Sequence, residues 1–283
     1  MPAHFATIED VENRLSGEFT DRVAAASDIS INEAESKFIT YDIFPTLGWG
    51  LVEAGTCQAE AYGNPALLYE MLSKLVSLLY RSLNQFDARG IHISSGYDYS
   101  QLVELVVYAA AQNRTEFVSK LFGSERPLSK AGYPPRKHAA NLLVALNSPS
   151  WKHIDKAISQ AEQFVNSKSN SKIDKAFVRY FLGLIERDGS QCSSAIAEFA
   201  DLYCKSDWGR YKPFTKPVFL YGLLSFANQI HPDIVPTGSN IDVLGESWSR
   251  LWTRYEERIN EYMNMEYRFT GNLAFLNIRS VEL

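Results

Sequence analysis

Residues 177–208 read FVRYFLGLIERDGSQCSSAIAEFADLYCKSDW, and their spacing decides the fold. Phe177, Tyr180, Phe181 and Leu184 recur at the three- and four-residue intervals that place side chains on one helix face. Just before them, Ser171-x-x-Asp174 has the spacing of a capping box, with Asp where Glu or Gln is usual. Asp188-Gly189 reads as a tight turn, and a second helix over 194–203 follows at once. Two helices joined by so short a link are expected as an antiparallel hairpin.

The same period extends in both directions. Asn64-Pro65 is a helix start, with Asn able to cap and Pro pre-set at the first helical position. Leu68, Met71, Leu72, Leu75, Leu79 and Leu83 follow as a stripe, which Leu67, Val76, Leu78 and Phe86 widen, so this helix is expected to be buried on most sides. Residues 100–112 form a helix with Leu102, Leu105, Val106 and Ala109 inward, and 115–122 another. Residues 123–135 read as loop and 136–146 as helix. Pro149-Ser150 opens a helix with Trp151, Ile154, Ile158, Ala161 and Val165 on one face. Residues 218–230 are almost wholly apolar, as a central helix should be, and 243–266 carry a long stripe from Trp248 to Met263. Only 91–95 and 273–281 resemble strands. The expectation is an all-α protein with little or no β: stacked antiparallel helix hairpins, as an irregular α-solenoid or a helical bundle. The 34-residue tetratricopeptide signature is absent. Without a Gly/Ser- or Pro-rich linker, 1–283 reads as a single all-helical domain. It has N-terminal helices in 1–40, a hairpin array in 41–235 and an aromatic-rich helix and tail in 236–283.

Composition narrows the function classes. An apolar fraction of 46% with 22% charged residues excludes wholesale disorder. With 28 Lys and Arg against 33 Asp and Glu the net charge is −5, which disfavours non-specific nucleic-acid binding and would attract a basic partner. Cys57, Cys192 and Cys204 are odd in number and form no C-x-x-C pair, as for small buried residues in a reducing compartment. The N-terminus has no secretory pattern, and the longest apolar run, 105–111, is far short of the ~20 residues of a membrane helix. A cytoplasmic protein with no membrane partner is expected.

No phosphate loop, zinc-binding H-E-x-x-H or nucleophile elbow is present. His4, His92, His138, His153 and His231 make no helical i, i+3 or i+4 pair, and surface or capping roles are expected. Carboxylate pairs such as Glu256-Glu257 fall on solvated faces. No catalytic, cofactor-binding or metal-ligating residue is expected, and the chain does not read as an enzyme. Residues 205–216, KSDWGRYKPFTK, differ from the helical stripes. Trp208, Arg210 and Tyr211 lie in a Gly- and Pro-punctuated loop and are residue types that dominate binding hot spots. The plainer reading is that these aromatics plug the gap between hairpins. Tyr97 and Tyr99, in Tyr97-Asp98-Tyr99, form a second candidate loop.

Three stretches carry a wider pattern: LGWGLVEAGTCQAEAYGNPALLYEMLSKLVSLLYRSL at 47–83, LVELVVYAAAQNRTEFVSKLF at 102–122, and the hairpin at 177–208 followed by PVFLYGLLSFANQ at 217–229. This order of helix, polar turn and helix resembles the Imm49-type immunity proteins of bacterial polymorphic and contact-dependent toxin systems, over about residues 40–235. The resemblance implies an all-α cytoplasmic protein, without a cofactor, that binds and neutralises a cognate protein toxin delivered by secretion, for instance of type VI, and so protects the producing cell and its siblings. A basic nuclease would suit the acidic total charge. The resemblance transfers no site residue. Two other readings stand beside it: a helical-repeat adaptor for another protein, and an all-α enzyme whose site is built from distant residues.

Overall fold

In the computed structural model, which describes residues 8–25, 30–31, 34–35, 72, 76, 97–111, 126–130, 132–203, 216–233 and 270–276, every regular element is helical. The elements are α1 (Ile8–Ala25), α2 (Tyr97–Ala111), α3 (Pro134–Asn147), α4 (Ile154–Asn166), α5 (Lys172–Glu186), α6 (Gly189–Tyr203), α7 (Lys216–Ile230) and a 3₁₀ helix, η1 (Gly271–Leu276). Among the described residues there is no strand, so the protein is all-α. Residues 273–276 of the expected tail strand belong to η1, and 91–95 lie outside the described residues, as do 115–122 and 243–266. Leu72 and Val76, the two described members of the 67–86 stripe, are helical and buried. The chain groups into two compact units, His92–Trp248, and Met1–Ile91 with Ser249–Leu283.

In the larger unit the α5–α6 hairpin forms as its spacing requires. Ser171 Oγ accepts from the Asp174 N–H at 3.2 Å, the forward half of the capping box. Arg187 takes the left-handed conformation at φ 55° and turns the chain. Asp188 Oδ1 then accepts from the Gln191 N–H at 3.0 Å, so α6 begins at Gly189, five residues earlier than the apolar spacing indicates. Gly183 faces Cys192, Phe177 faces Phe199 at 5.3 Å, and Arg179 pairs with Glu198 at 2.5 Å. These partners run in opposite order along the two helices, which makes the pair antiparallel.

Helix α7 behaves differently. It lies parallel against α2, more than a hundred residues upstream. Val107 meets Gly222, and one turn further on Ser225 Oγ and Gln229 Nε2 both donate to the Ala110 carbonyl, at 2.7 and 3.1 Å. The Tyr180 hydroxyl of α5 donates to the Leu223 carbonyl. Phe219 sits among Tyr108, Phe177, Phe199 and Tyr203, with centroids 6.1–6.4 Å away. This almost wholly apolar helix is therefore central, and it closes α2, α5 and α6 into a bundle. Helix α3 packs against α2, α4 and α5.

Helix α4 departs from the expected reading. Residues 148–153 make turns, with Trp151 N–H donating to the Ser148 carbonyl at 2.9 Å and Ile154 N–H to that of Trp151 at 3.2 Å, and the helix starts only at Ile154. Trp151 is buried as a plug whose indole N–H donates to the Arg126 carbonyl at 2.6 Å. Ala157, Ala161 and Phe164 are the buried residues of α4, while Ile154, Ile158 and Val165 are half-buried. The two small alanines let this helix approach its neighbours closely.

In the other unit, α1 buries Leu15 and Phe19, and the Phe19 ring lies 4.8 Å from that of Phe275. Asn272 ties η1 to α1, accepting from Ser16 Oγ at 2.8 Å and donating to Thr20 Oγ1 at 3.2 Å.

Candidate functional site

The sequence candidates divide. Trp208, Arg210 and Tyr211 lie outside the described residues, as do Cys57 and Cys204. Tyr97 and Tyr99 belong to the first turn of α2 and not to a loop. The acidic Asp98 between them suits a helix start, where negative charge complements the dipole.

Inside the bundle the polar groups hold helices to one another. Glu104 of α2 and Arg136 of α3, with side chains 1% and 7% exposed, form an ion pair at 2.5 Å, and the guanidinium carbon stands 5.8 Å from the Phe219 ring centre. Asn141 clamps the 126–130 segment, accepting from the Ser129 N–H at 3.0 Å and donating to its carbonyl at 3.2 Å. A ring nitrogen of His231, just beyond α7, lies 2.9 Å from the Leu184 carbonyl of α5. Cys192 is buried against the Tyr180 carbonyl, and burial, with Asp188 and Glu186 nearby, pushes its thiol pKa up to about 12. Such a thiol stays protonated and is no nucleophile. Burial likewise raises the Tyr180 hydroxyl well above its ordinary value. Among the described residues no three His, Cys, Asp or Glu side chains converge to hold a metal ion.

His138 overturns the expectation of surface or capping histidines. It is 7% exposed on α3, its ring lies 4.9 Å from that of Phe164, and among the described residues its Nδ1 has no hydrogen-bond partner. The helical spacing of PPRKHAANLL permits this burial but does not announce it. Desolvation first, and the neighbouring Lys137 charge second, lower its pKa from 6.5 to about 4. The unfolded chain therefore binds this proton more readily than the folded one between these two values. Stability is complete above pH 6.5 and falls as the pH drops towards about 4, by roughly 3 kcal/mol at most. Urea denaturation of wild type and His138→Gln across pH 4–7 checks this. The difference between the two curves should slope in that window, and parallel curves would refute the assignment.

Among the described residues one aromatic side chain is exposed. Tyr133, 49% exposed, immediately precedes α3, and its hydroxyl donates to Asp174 Oδ1 at 3.0 Å in the first turn of α5. Gly132 before it has φ 100°, a conformation open to glycine, so the turn that presents the tyrosine is built into the backbone. Sequence reading missed this contact because its partners lie 41 residues apart. The Gly132-Tyr133-Pro134 run was the available signal.

No family model, curated protein or solved structure matches this chain. Among the described residues no helix is long and apolar enough to cross a membrane.

Proposed function

We propose that this chain is an immunity protein of a bacterial polymorphic toxin system, which binds a cognate toxin in the cytoplasm of the producing cell and blocks it by occupying its surface. The sequence pattern over about residues 40–235, which resembles the Imm49-type immunity proteins, supports the choice of partner. The observation that supports action by shape is the use of the interior polar side chains. Glu104, Arg136, Asn141, Ser225 and Tyr180 each hold one segment of the bundle to another. A scaffold clamped in this way loses little conformational entropy on docking, which favours affinity.

The test is co-expression with the product of the gene immediately upstream. Growth should be restored and the two proteins should co-purify. Growth arrest despite soluble expression of this chain would overturn the reading. Within such a complex, Trp208→Ala with Arg210→Ala should weaken binding at least tenfold with little change in melting temperature. Unchanged affinity would remove that loop from the interface.

A further inference from the structure

The total charge hides an uneven distribution. Residues 126–175 contain nine Lys and Arg but only three Asp and Glu, a net of +6 in a chain of −5, so all other residues together carry −11. Part of this positive charge gathers at one corner. The start of α3 meets the start of α5 through the Tyr133–Asp174 hydrogen bond. The α4–α5 turn arrives at the same place, with His138 of α3 against Phe164 near the end of α4 and Asn170 Nδ2 donating to the Phe164 carbonyl at 2.7 Å. Lys130, Lys137, Lys168, Lys172 and Lys175 all lie within a turn of helix, or a few residues, of these contacts. Lys130, Lys168 and Lys172 are exposed, and among the described residues none of the five pairs with a carboxylate. Two acids lie as near to these contacts: Asp174, which already holds the tyrosine hydroxyl, and Glu162, exposed on α4.

We infer that this lysine corner, with Tyr133 at its centre, is the surface that docks the toxin, and that the toxin meets it with an acidic patch. The inference rests on the immunity reading and reverses the partner charge that the total of −5 suggests. Steering depends on the local field, since charges more than ~8–10 Å apart are largely screened at physiological salt. A compact acidic patch on a protein meets the corner alone. A nucleic acid, with a charge every ~1.7 Å of duplex, extends beyond it and meets a chain that is otherwise acidic. Tyr133 supplies the apolar anchor, and its fixed hydroxyl keeps the ordering cost low.

The experiment measures association of the full chain with the protein product of the upstream gene as a function of salt. Lys130→Gln, Lys168→Gln and Lys172→Gln together shift the net charge from −5 to −8, and Ser190→Glu, Ser194→Glu and Asn228→Glu, at exposed positions on α6 and α7, shift it equally. The lysine triple should slow association about tenfold at low salt and flatten its salt dependence. The glutamate triple should change it less than twofold. Tyr133→Ala should speed dissociation about tenfold. Equal effects of the two triples would overturn the inference. So would tighter binding of a short DNA duplex than of the toxin, or self-association that the lysine triple abolishes. If wild type binds and protects while the lysine triple associates normally, only the docking surface is wrong. If wild type neither binds nor protects, the immunity reading falls and takes this inference with it.

Discussion

Replacing Arg136 with Met should cost about 3–5 kcal/mol, a large share of the 5–15 kcal/mol that holds a typical domain folded. The arginine's own attraction to Glu104 is not the source of that figure. Once the guanidinium is gone, a carboxylate that is 1% exposed stands between α2 and α3 with its charge uncompensated. Desolvation of that charge sets the penalty, and the lost contact with Phe219 at 5.8 Å adds ~0.5–1 kcal/mol. The complementary experiment removes both charges. Glu104→Leu with Arg136→Met should lie within about 1–2 kcal/mol of wild type, because burying two charges costs nearly what their attraction returns. Urea denaturation of the three proteins decides the matter. If the single substitution is no worse than the double, the pair is not the buried, mutually dependent unit described above.

Local features of this fold were legible in the sequence, and long-range ones were not. The α5–α6 hairpin could be read because its signals are adjacent: the cap at Ser171, the apolar repeat from Phe177 and the turn before Gly189. The start of α6 lies five residues before the point that the apolar spacing marks, because that spacing resumes only after the helix has begun, while the Asp188 cap acts before it. Trp151 departs from its helical spacing for a related reason. Its spacing from Ile154 and Ile158 is helical, but its burial comes with a hydrogen bond to Arg126, 25 residues away. The same limit hid Glu104–Arg136, 32 residues apart, and Tyr133–Asp174, 41 apart. Periodicity reports which face of an element is buried, and it carries no information about which elements meet. The site followed suit. Tyr97 and Tyr99 stand out by residue type alone and open a helix, whereas the importance of Tyr133 comes from α5 lying beside it, which no local pattern encodes.

The contact that closes the bundle makes the sharpest test of helix pairing. Gly222 lies in the middle of α7, where glycine costs ~1 kcal/mol relative to alanine in an unpacked helix. Its presence is explained by what a methyl group would strike. A Cβ there would collide with the Val107 carbonyl oxygen and sit 2.7 Å from Val107 Cγ1. The nearer obstacle is backbone and cannot rotate away, so α7 or α2 must move. Any such shift strains the bonds from Ser225 and Gln229 to Ala110 and from Tyr180 to Leu223. Gly222→Ala should therefore destabilise by about 3 kcal/mol despite the gain in helix propensity. Gly17 of α1 provides the internal control. Among the described residues nothing stands within 4 Å of the place a methyl group would take there, and Gly17→Ala should stabilise by up to about 1 kcal/mol. Adding Val107→Ala to Gly222→Ala should recover little, since it removes the side-chain contact and leaves the carbonyl in place. Chemical denaturation of these variants would show the pairing of α2 with α7 to be wrong if both glycine substitutions stabilised alike.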